Sequence, residues 1–270
     1  MPELPEVETT RRGIAPYVVG RSVAKIEVRE RRLRWPVARD LPAALAGQRI
    51  DSIERRGKYL LLGTGAGTLL VHLGMSGSLR YLPEPRAAGT HDHIDVGFVG
   101  GGMLRYHDPR RFGSFHLTTT PERHPLLKDL GPEPLGDDFN AEYLWERSRG
   151  RRVAIKPHLM NGHVVVGVGN IYANEALFRA GIHPARSARR IARDRFEPLV
   201  SAVRAVLRDA IEVGGTTLRD YVGGDGEPGY FRNSLRVYER EAEPCLQCGS
   251  PIKRRVLGQR ATYFCPTCQR

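Results

Sequence analysis

All four cysteines of the chain fall in its last 26 residues, as Cys245-Leu-Gln-Cys248 and Cys265-Pro-Thr-Cys268. Sixteen residues separate the inner pair, which is the spacing of a four-cysteine zinc site. Zinc takes four thiolates in a tetrahedron, and each C-x2-C turn supplies two of them from one tight knuckle. Two disulfides are the alternative, although nothing in the sequence indicates an oxidising compartment. The enclosed GSPIKRRVLGQRATYF reads as a β-hairpin, with strands over 252–257 and 260–264 and a turn at Gly258-Gln259. A ribbon clamped at its base by metal must project, and this one carries Lys253, Arg254, Arg255 and Arg260. That shape and charge suit a DNA groove or backbone.

The rest of the chain carries the same sign of charge. Lys and Arg number 42 against 30 Asp and Glu, a formal excess of 12. Such an excess points to a polyanionic partner, nucleic acid before anionic membrane, with a merely solvated basic surface as the alternative. Arginine dominates, because lysine occurs only at 25, 58, 128, 156 and 253. A lysine nucleophile therefore has few candidates besides the chain terminus. No apolar run reaches the ~18–20 residues of a membrane-spanning helix. The acidic start lacks the basic-then-apolar pattern of a secretory signal, so a cytoplasmic location is expected.

At 270 residues there is room for more than one domain. Residues 21–118 alternate in the β manner, through RSVAKIEV, KYLLL, TLLVHLGM, HIDVGFV, MLRYHD and FGSFHL, separated by Gly- and Pro-containing turns. Residues 119–138, with Pro121, Pro125, Pro132 and Pro134, read as a crossing between domains. From 139 the pattern becomes helical. Asn170 is placed to cap IYANEALFRAG, and RFEPLVSAVRAVLRDAIEVG lines up Leu199, Val203, Val206, Leu207 and Ile211 on one face. The expectation is a multi-domain α+β protein: an N-terminal β-sandwich with flanking helices (1–118), a linker (119–138), a helical domain (139–231) and a zinc finger (232–270).

The opening MPELPEVETTRRG admits two readings. Acids before arginines, with proline in the first turn, describe a helix over residues 4–19 whose positive end is matched by carboxylates. That leaves unexplained why Glu3 directly follows Pro2. Removal of Met1 would leave Pro2 with a secondary amine of ordinary pKa about 8, able to attack an aldehyde-level carbon while a neighbouring carboxyl moves protons. On residues alone the capping reading explains more of the segment.

Several loops resist a purely structural reading. HLGMSGSLR sets Met75, and DPRRFG sets Arg110, Arg111 and Phe112, in turns where apolar and basic tips can wedge into a base stack. Met75 taken singly is more often a core-packing residue, and Lys58 in RRGKYLLL reads on its own as a strand-edge lysine. VVVGVGNIY does not fit the dinucleotide fingerprint; it is either a phosphate-binding turn with Asn170 at a helix start or a helix-packing corner. RSRGRRVAIK (147–156) has five cations and no acid around a glycine, as a phosphate contact would.

Taken in order, PELPEVET, LGMSG, DPRRFG, GVGNIYANEALF, GGTTLRDY and GQRATYFCPTCQ resemble the bacterial formamidopyrimidine-DNA glycosylase family, the 8-oxoguanine-DNA glycosylases, along essentially the whole chain. The start is closer to this family than to its relative endonuclease VIII. The resemblance implies a β-sandwich, a helix–two-turn–helix domain and a zinc ribbon. It also implies a monomeric repair enzyme that excises oxidised purines from duplex DNA and then cuts the strand by β,δ-elimination.

Carried onto this chain, the resemblance makes Pro2 the nucleophile and Glu3 the acid/base. Lys58 and Arg260 become residues of the eliminations, and Asn170 with Arg260 a clamp for the phosphate of the flipped nucleotide. It places His91, Arg110 and Arg151 on DNA, and Met75, Arg110 and Phe112 in the gap left by the extruded base. Cys245, Cys248, Cys265 and Cys268 hold one structural zinc, with no position left for water. Residues 216–230 match a lesion-recognition loop, and NGHVV at 161–165 departs from the family's usual turn. Two alternatives differ in kind: an endonuclease VIII-like enzyme for oxidised pyrimidines, and a non-catalytic zinc-dependent binder of damaged DNA.

Overall fold

The computed structural model describes residues 2–216 and 230–270. The chain forms two compact units, one of Met1–Lys128 with Val213–Tyr230, the other of Asp129–Glu212 with Phe231–Arg270. Residues 217–229, which hold most of the expected lesion-recognition loop, lie outside the described residues, as does Met1.

In the first unit, helix α1 (Leu4–Val18) precedes strand β1 (Val23–Val28), short helix α2 (Leu41–Leu45) and strands β2 (Ile50–Arg56), β3 (Tyr59–Thr64), β4 (Gly67–His72), β5 (Ser78–Leu82), β6 (Asp92–Phe98), β7 (Met103–His107) and β8 (Ser114–Thr118). They form two antiparallel four-stranded sheets, ordered β1-β6-β7-β5 and β2-β3-β4-β8. The period-2 pattern explains the sandwich. Leu60 and Leu62 of β3, Leu69 and Val71 of β4, and Ile94, Val96 and Phe98 of β6 enter one core, joined by Val7, Ile14 and Val18 of α1. Each such side chain contributes about 1.5–3 kcal/mol by leaving water. On the other face of the β6–β7 pair, Asp95 sits opposite Arg105 and receives its Nε and Nη2 at 2.9 and 2.8 Å. That bidentate geometry satisfies two largely buried charges at once.

The second unit contains α3 (Ala141–Ser148), α4 (Ile155–Leu159), α5 (Asn170–Arg179), α6 (Phe196–Glu212) and the hairpin β9 (Lys253–Leu257) with β10 (Arg260–Phe264). α6 buries Leu199, Val203, Val206 and Leu207 as its spacing requires, while Ile211 near its end is only half-buried. The cysteine hairpin packs onto α5: Phe178 shares a hydrophobic cluster with Val237, Cys245, Ile252 and Cys265. Polar ties reinforce the contact. Asn174 Oδ1 accepts from the Tyr263 N–H at 2.8 Å, and Gln269 Nε2 donates to the Ile182 carbonyl at 3.0 Å. Among the described residues no helix is long and apolar enough to cross a membrane.

Candidate functional site

The N-terminus is built around two buried carboxylates. Glu3 has extended backbone (φ −104°, ψ −169°) and is the N-cap of α1, and Pro2 before it is buried. A glutamate is an uncommon N-cap, since shorter side chains reach the first-turn N–H groups more readily. It succeeds here through a reciprocal capping box with Glu6 three residues on. Glu6 Oε2 accepts from the Glu3 N–H at 2.7 Å, and its other oxygen accepts from the Thr216 N–H at 2.8 Å. Glu3 and Glu6 are 1% and 2% exposed, so the backbone beside Pro2 is fixed from both sides.

Lys58 occupies the tight turn between β2 and β3 and is half-buried. Its charge acts on His72, which pairs with Tyr59 across β3 and β4. Burial first, then the charges of Lys58 and Arg34, pushes the His72 pKa down to about 4. Neutral His72 accepts from the Gly74 N–H through Nδ1 at 3.0 Å, which shapes the turn holding Met75. Met75 itself is half-buried. Arg110 and Phe112 are exposed in the β7–β8 loop, with the Arg110 guanidinium stacked 4.8 Å above the Phe112 ring. His91 is exposed just before β6, its ring 6.2 Å from His93 and 5.9 Å from His107.

Arg151, Asn170 and Arg260 belong to the second unit. Exposed Arg151 sits in the α3–α4 loop, where its carbonyl accepts from the Arg189 N–H at 3.0 Å. Arg260 opens β10 and is exposed at the hairpin turn. Asn170 corrects one expectation. The N-cap of α5 is Gly169, and Asn170 is the first helical residue. With extended backbone (φ −117°, ψ −156°), Gly169 takes the capping position and relieves the Asn170 side chain of that duty. Asn170 Oδ1 is buried without a hydrogen-bond partner among the described residues, beside a helix N-terminus suited to anions.

The basic run 147–156 divides by environment. Arg149 stacks 5.0 Å from the Trp145 ring and Arg151 is exposed, but Lys156 is fully buried. Lys156 Nζ donates to the Ala261 carbonyl at 2.8 Å and to Thr262 Oγ1 at 2.7 Å, directly after Arg260. The hairpin is also anchored upstream, where Glu175 accepts the N–H groups of Arg236, Val237 and Tyr238 at 2.9, 3.0 and 2.9 Å. Burial pushes the Glu175 carboxyl above the usual range, opposed by those three donors.

The four cysteine sulfurs lie within 4.8 Å of one another. The Cys245–Cys268 and Cys248–Cys265 separations are 4.0 and 3.4 Å. Both exceed the ~2.05 Å of a disulfide and bracket the edge of about 3.8 Å that Zn–S bonds of ~2.3 Å give a tetrahedron. The donor set fits zinc, so these four residues hold one structural zinc ion and leave no open coordination position.

Glu6 and Lys156 carry much of this geometry, and neither is singled out by its residue type. Glu6 has a local signal, the three-residue spacing of a capping box. Lys156 has none, because its partners lie more than a hundred residues away.

The family model for the formamidopyrimidine-DNA glycosylase N-terminal domain matches residues 1–115, that for the H2TH domain of the same enzyme matches 130–222, and a zinc finger found in FPG and IleRS matches 242–270. Formamidopyrimidine-DNA glycosylases of Pseudomonas paraeruginosa (strain DSM 24068 / PA7) and Stutzerimonas stutzeri (strain A1501) are 57% and 56% identical over 270 residues, all of both chains. Among solved structures, the MutM (Fpg) protein of Thermus thermophilus is 41% identical with a TM-score of 0.87, covering 99% of this chain and 98% of that one. Lactococcus lactis Fpg in complex with an abasic site containing DNA is 36% identical with a TM-score of 0.91, covering 99% of each. With the sandwich, the helical unit and the four-cysteine hairpin in the same order along its full length, the chain belongs to the formamidopyrimidine-DNA glycosylase family.

Proposed function

We propose that Pro2 is the nucleophile and Glu3 the proton donor of a glycosylase and AP lyase acting on oxidised purines, 8-oxoguanine and formamidopyrimidines, in duplex DNA. The observation that carries this reading is the Pro2-Glu3 pair, buried and oriented by the Glu3–Glu6 capping box at the start of α1. Nothing about a simple helix start requires two buried carboxylates there.

A base within a duplex shields its C1′, so the damaged nucleotide must be extruded at a cost of a few kcal/mol. Met75, Arg110 and Phe112 fill the vacated space, and the Arg110–Phe112 stack presents one flat, cationic surface to the remaining bases. Asn170 and Arg260 hold the phosphate of the extruded nucleotide, while His91 and Arg151 bind neighbouring phosphates. Basic contacts of this kind make affinity fall with salt. Such a chain, carrying an excess of 12 cations, is nucleoid-associated in the cytoplasm.

Removal of Met1 frees the Pro2 nitrogen. Its lone pair attacks C1′, and the bond from C1′ to the base breaks as the departing base takes up the proton that the Pro2 nitrogen sheds. Glu3 delivers a proton to O4′ as the C1′–O4′ bond opens, and the Pro2 nitrogen and C1′ become an iminium. The iminium acidifies the C2′ proton; its loss expels the 3′ phosphate, and a second elimination expels the 5′ phosphate. Lys58 and Arg260 assist these two departures as cations near the leaving phosphates. Hydrolysis of the iminium returns the amine and leaves a one-nucleotide gap with phosphate at both ends. Zinc takes no part in these steps and fixes the hairpin that carries Arg260. The division of labour we propose is chemistry and extrusion in 1–118, connection in 119–138, phosphate binding in 139–231 and the metal-fixed hairpin in 232–270.

Borohydride reduction on an 8-oxoguanine:C duplex tests this reading. A covalent adduct is expected whose DNA-bearing peptide begins at Pro2, with Pro2→Gly trapping more slowly. An adduct on any lysine overturns the assignment of Pro2. Excision of thymine glycol in preference to 8-oxoguanine overturns the substrate class, and absence of any adduct overturns catalysis.

A further inference from the structure

Three separate loops of the first unit carry Met75, His91 and the Arg110–Phe112 pair, and one residue touches all three. Asp108 is 0% exposed. Its side chain accepts three hydrogen bonds, from Ser76 Oγ at 3.2 Å, from the Tyr106 hydroxyl at 2.9 Å and from the Gly113 N–H at 2.9 Å. Its backbone is equally occupied. The Asp108 N–H donates to the His91 carbonyl at 3.0 Å, and its carbonyl accepts from the Arg111 N–H at 3.1 Å and from His93 Nε2 at 2.9 Å.

The loops it joins also meet directly. Gly74 has φ +71°, and a Cβ placed there would come within 2.5 Å of the Gly113 nitrogen. A Cβ on Gly113 would fall 1.8 Å from the Tyr106 hydroxyl. The Met75 turn and the Arg110–Phe112 loop are thus in backbone contact, with the Asp108 carboxylate clamping Ser76 on one side and Gly113 on the other. A buried carboxylate is costly unless its lone pairs are filled, and filled lone pairs make a rigid junction. The Tyr106 ring makes its apolar contact with Phe115, so its hydroxyl is the part that meets the carboxylate.

We propose that Asp108 is a positioning residue that registers the three loops as one rigid wedge, so that Met75, Arg110 and Phe112 enter the base stack together. The proposal rests on the assignment of these residues to the extrusion gap. Registration matters where a base must be extruded from a duplex. It is dispensable on single-stranded DNA with an abasic site already present, where no stack has to be opened.

The test compares Asp108→Ala and Asp108→Asn with the wild type in two assays: excision of 8-oxoguanine from duplex under subsaturating conditions, and borohydride trapping on a single-stranded abasic oligonucleotide. An asparagine can place its oxygen toward Gly113 and Tyr106 and donate its amide to Ser76, whose hydroxyl also accepts. Asp108→Ala should lower duplex excision about tenfold to a hundredfold, as a small misplacement of positioned groups does. Single-stranded trapping should stay within about twofold, and Asp108→Asn should recover most of the duplex activity. Wild-type duplex excision by Asp108→Ala overturns the proposal, and so does an equal loss in both assays. If Asp108→Ala does not fold, the double variant Ser76→Ala/Tyr106→Phe, which leaves the Gly113 bond in place, must show the same split or the proposal is wrong. Failure of the wild type to trap would instead refute the Pro2 mechanism.

Discussion

Lys156 Nζ lies 2.7 Å from Thr262 Oγ1 and 2.8 Å from the Ala261 carbonyl, fully buried between α4 and the zinc hairpin. A lysine in such a place serves as a three-donor strut that sets where β10 begins, and therefore where Arg260 points. Lys156→Met keeps the length and removes the donors, leaving an acceptor and a hydroxyl buried. A loss of about 1–3 kcal/mol is expected in thermal melting. If Arg260 acts in the second elimination, as its resemblance to the family's δ-elimination residue implies, δ-elimination products on an abasic duplex should fall more than β-elimination products.

Glu6 answers two backbone donors, the N–H groups of Glu3 and Thr216, one with each oxygen. A glutamine must turn its NH2 toward one of them, so Glu6→Gln should cost about 1–3 kcal/mol. Release of the N-terminal backbone should also slow borohydride trapping by roughly tenfold to a hundredfold. Melting and single-turnover trapping on the same preparation separate the two effects.

Acid should destabilise the first unit in two windows. Burial pushes His72 from its ordinary 6.5 down to about 4, so the folded state binds fewer protons than the unfolded state between those values. Stability is complete above pH 6.5 and is lost as pH falls through about 4, when protonated Nδ1 can no longer accept from Gly74. His72→Asn should start less stable but show a flatter decline below pH 6.5.

Glu8 supplies the second window. Burial raises its pKa, but hydrogen bonds from Arg11 and Arg12 and the charges of Arg11 and Arg55 outweigh that and hold it at about 2, against an ordinary 4.5. Its contribution is present above pH 4.5 and lost as pH falls toward 2, on the order of 1–2 kcal/mol after solvent screening. Glu8→Gln should therefore be destabilised at pH 7 and converge on the wild type in strong acid.

Metal analysis should return one zinc per chain, and chelation or Cys265→Ser should release it. Loss of the hairpin base should lower helical-unit stability, because Cys245 and Cys265 share a cluster with Phe178 of α5. It should also flatten the salt dependence of duplex binding by about 0.9 in log–log slope for each hairpin cation that leaves the DNA. Lys253, Arg254, Arg255 and Arg260 are the cations at stake.

What the sequence determined by itself is local. Alternation at Leu60, Leu62, Ile94 and Val96 specified strands and their buried face, the early acids and Pro5 specified α1, and the cysteine spacing specified both the zinc site and the hairpin between its halves. Each is written within a few residues, as a period or a motif. The Asn170 cap failed because the choice between Gly169 and Asn170 depends on backbone angles that composition does not encode. Tertiary structure alone decided the rest. Glu6 meets Thr216 across 210 positions, Lys156 meets Thr262 across 106, and Ser76 meets Asp108 across 32. A carboxylate or an ammonium looks the same in sequence whether it faces water or a buried donor. Only folding removes the water and makes the partner compulsory.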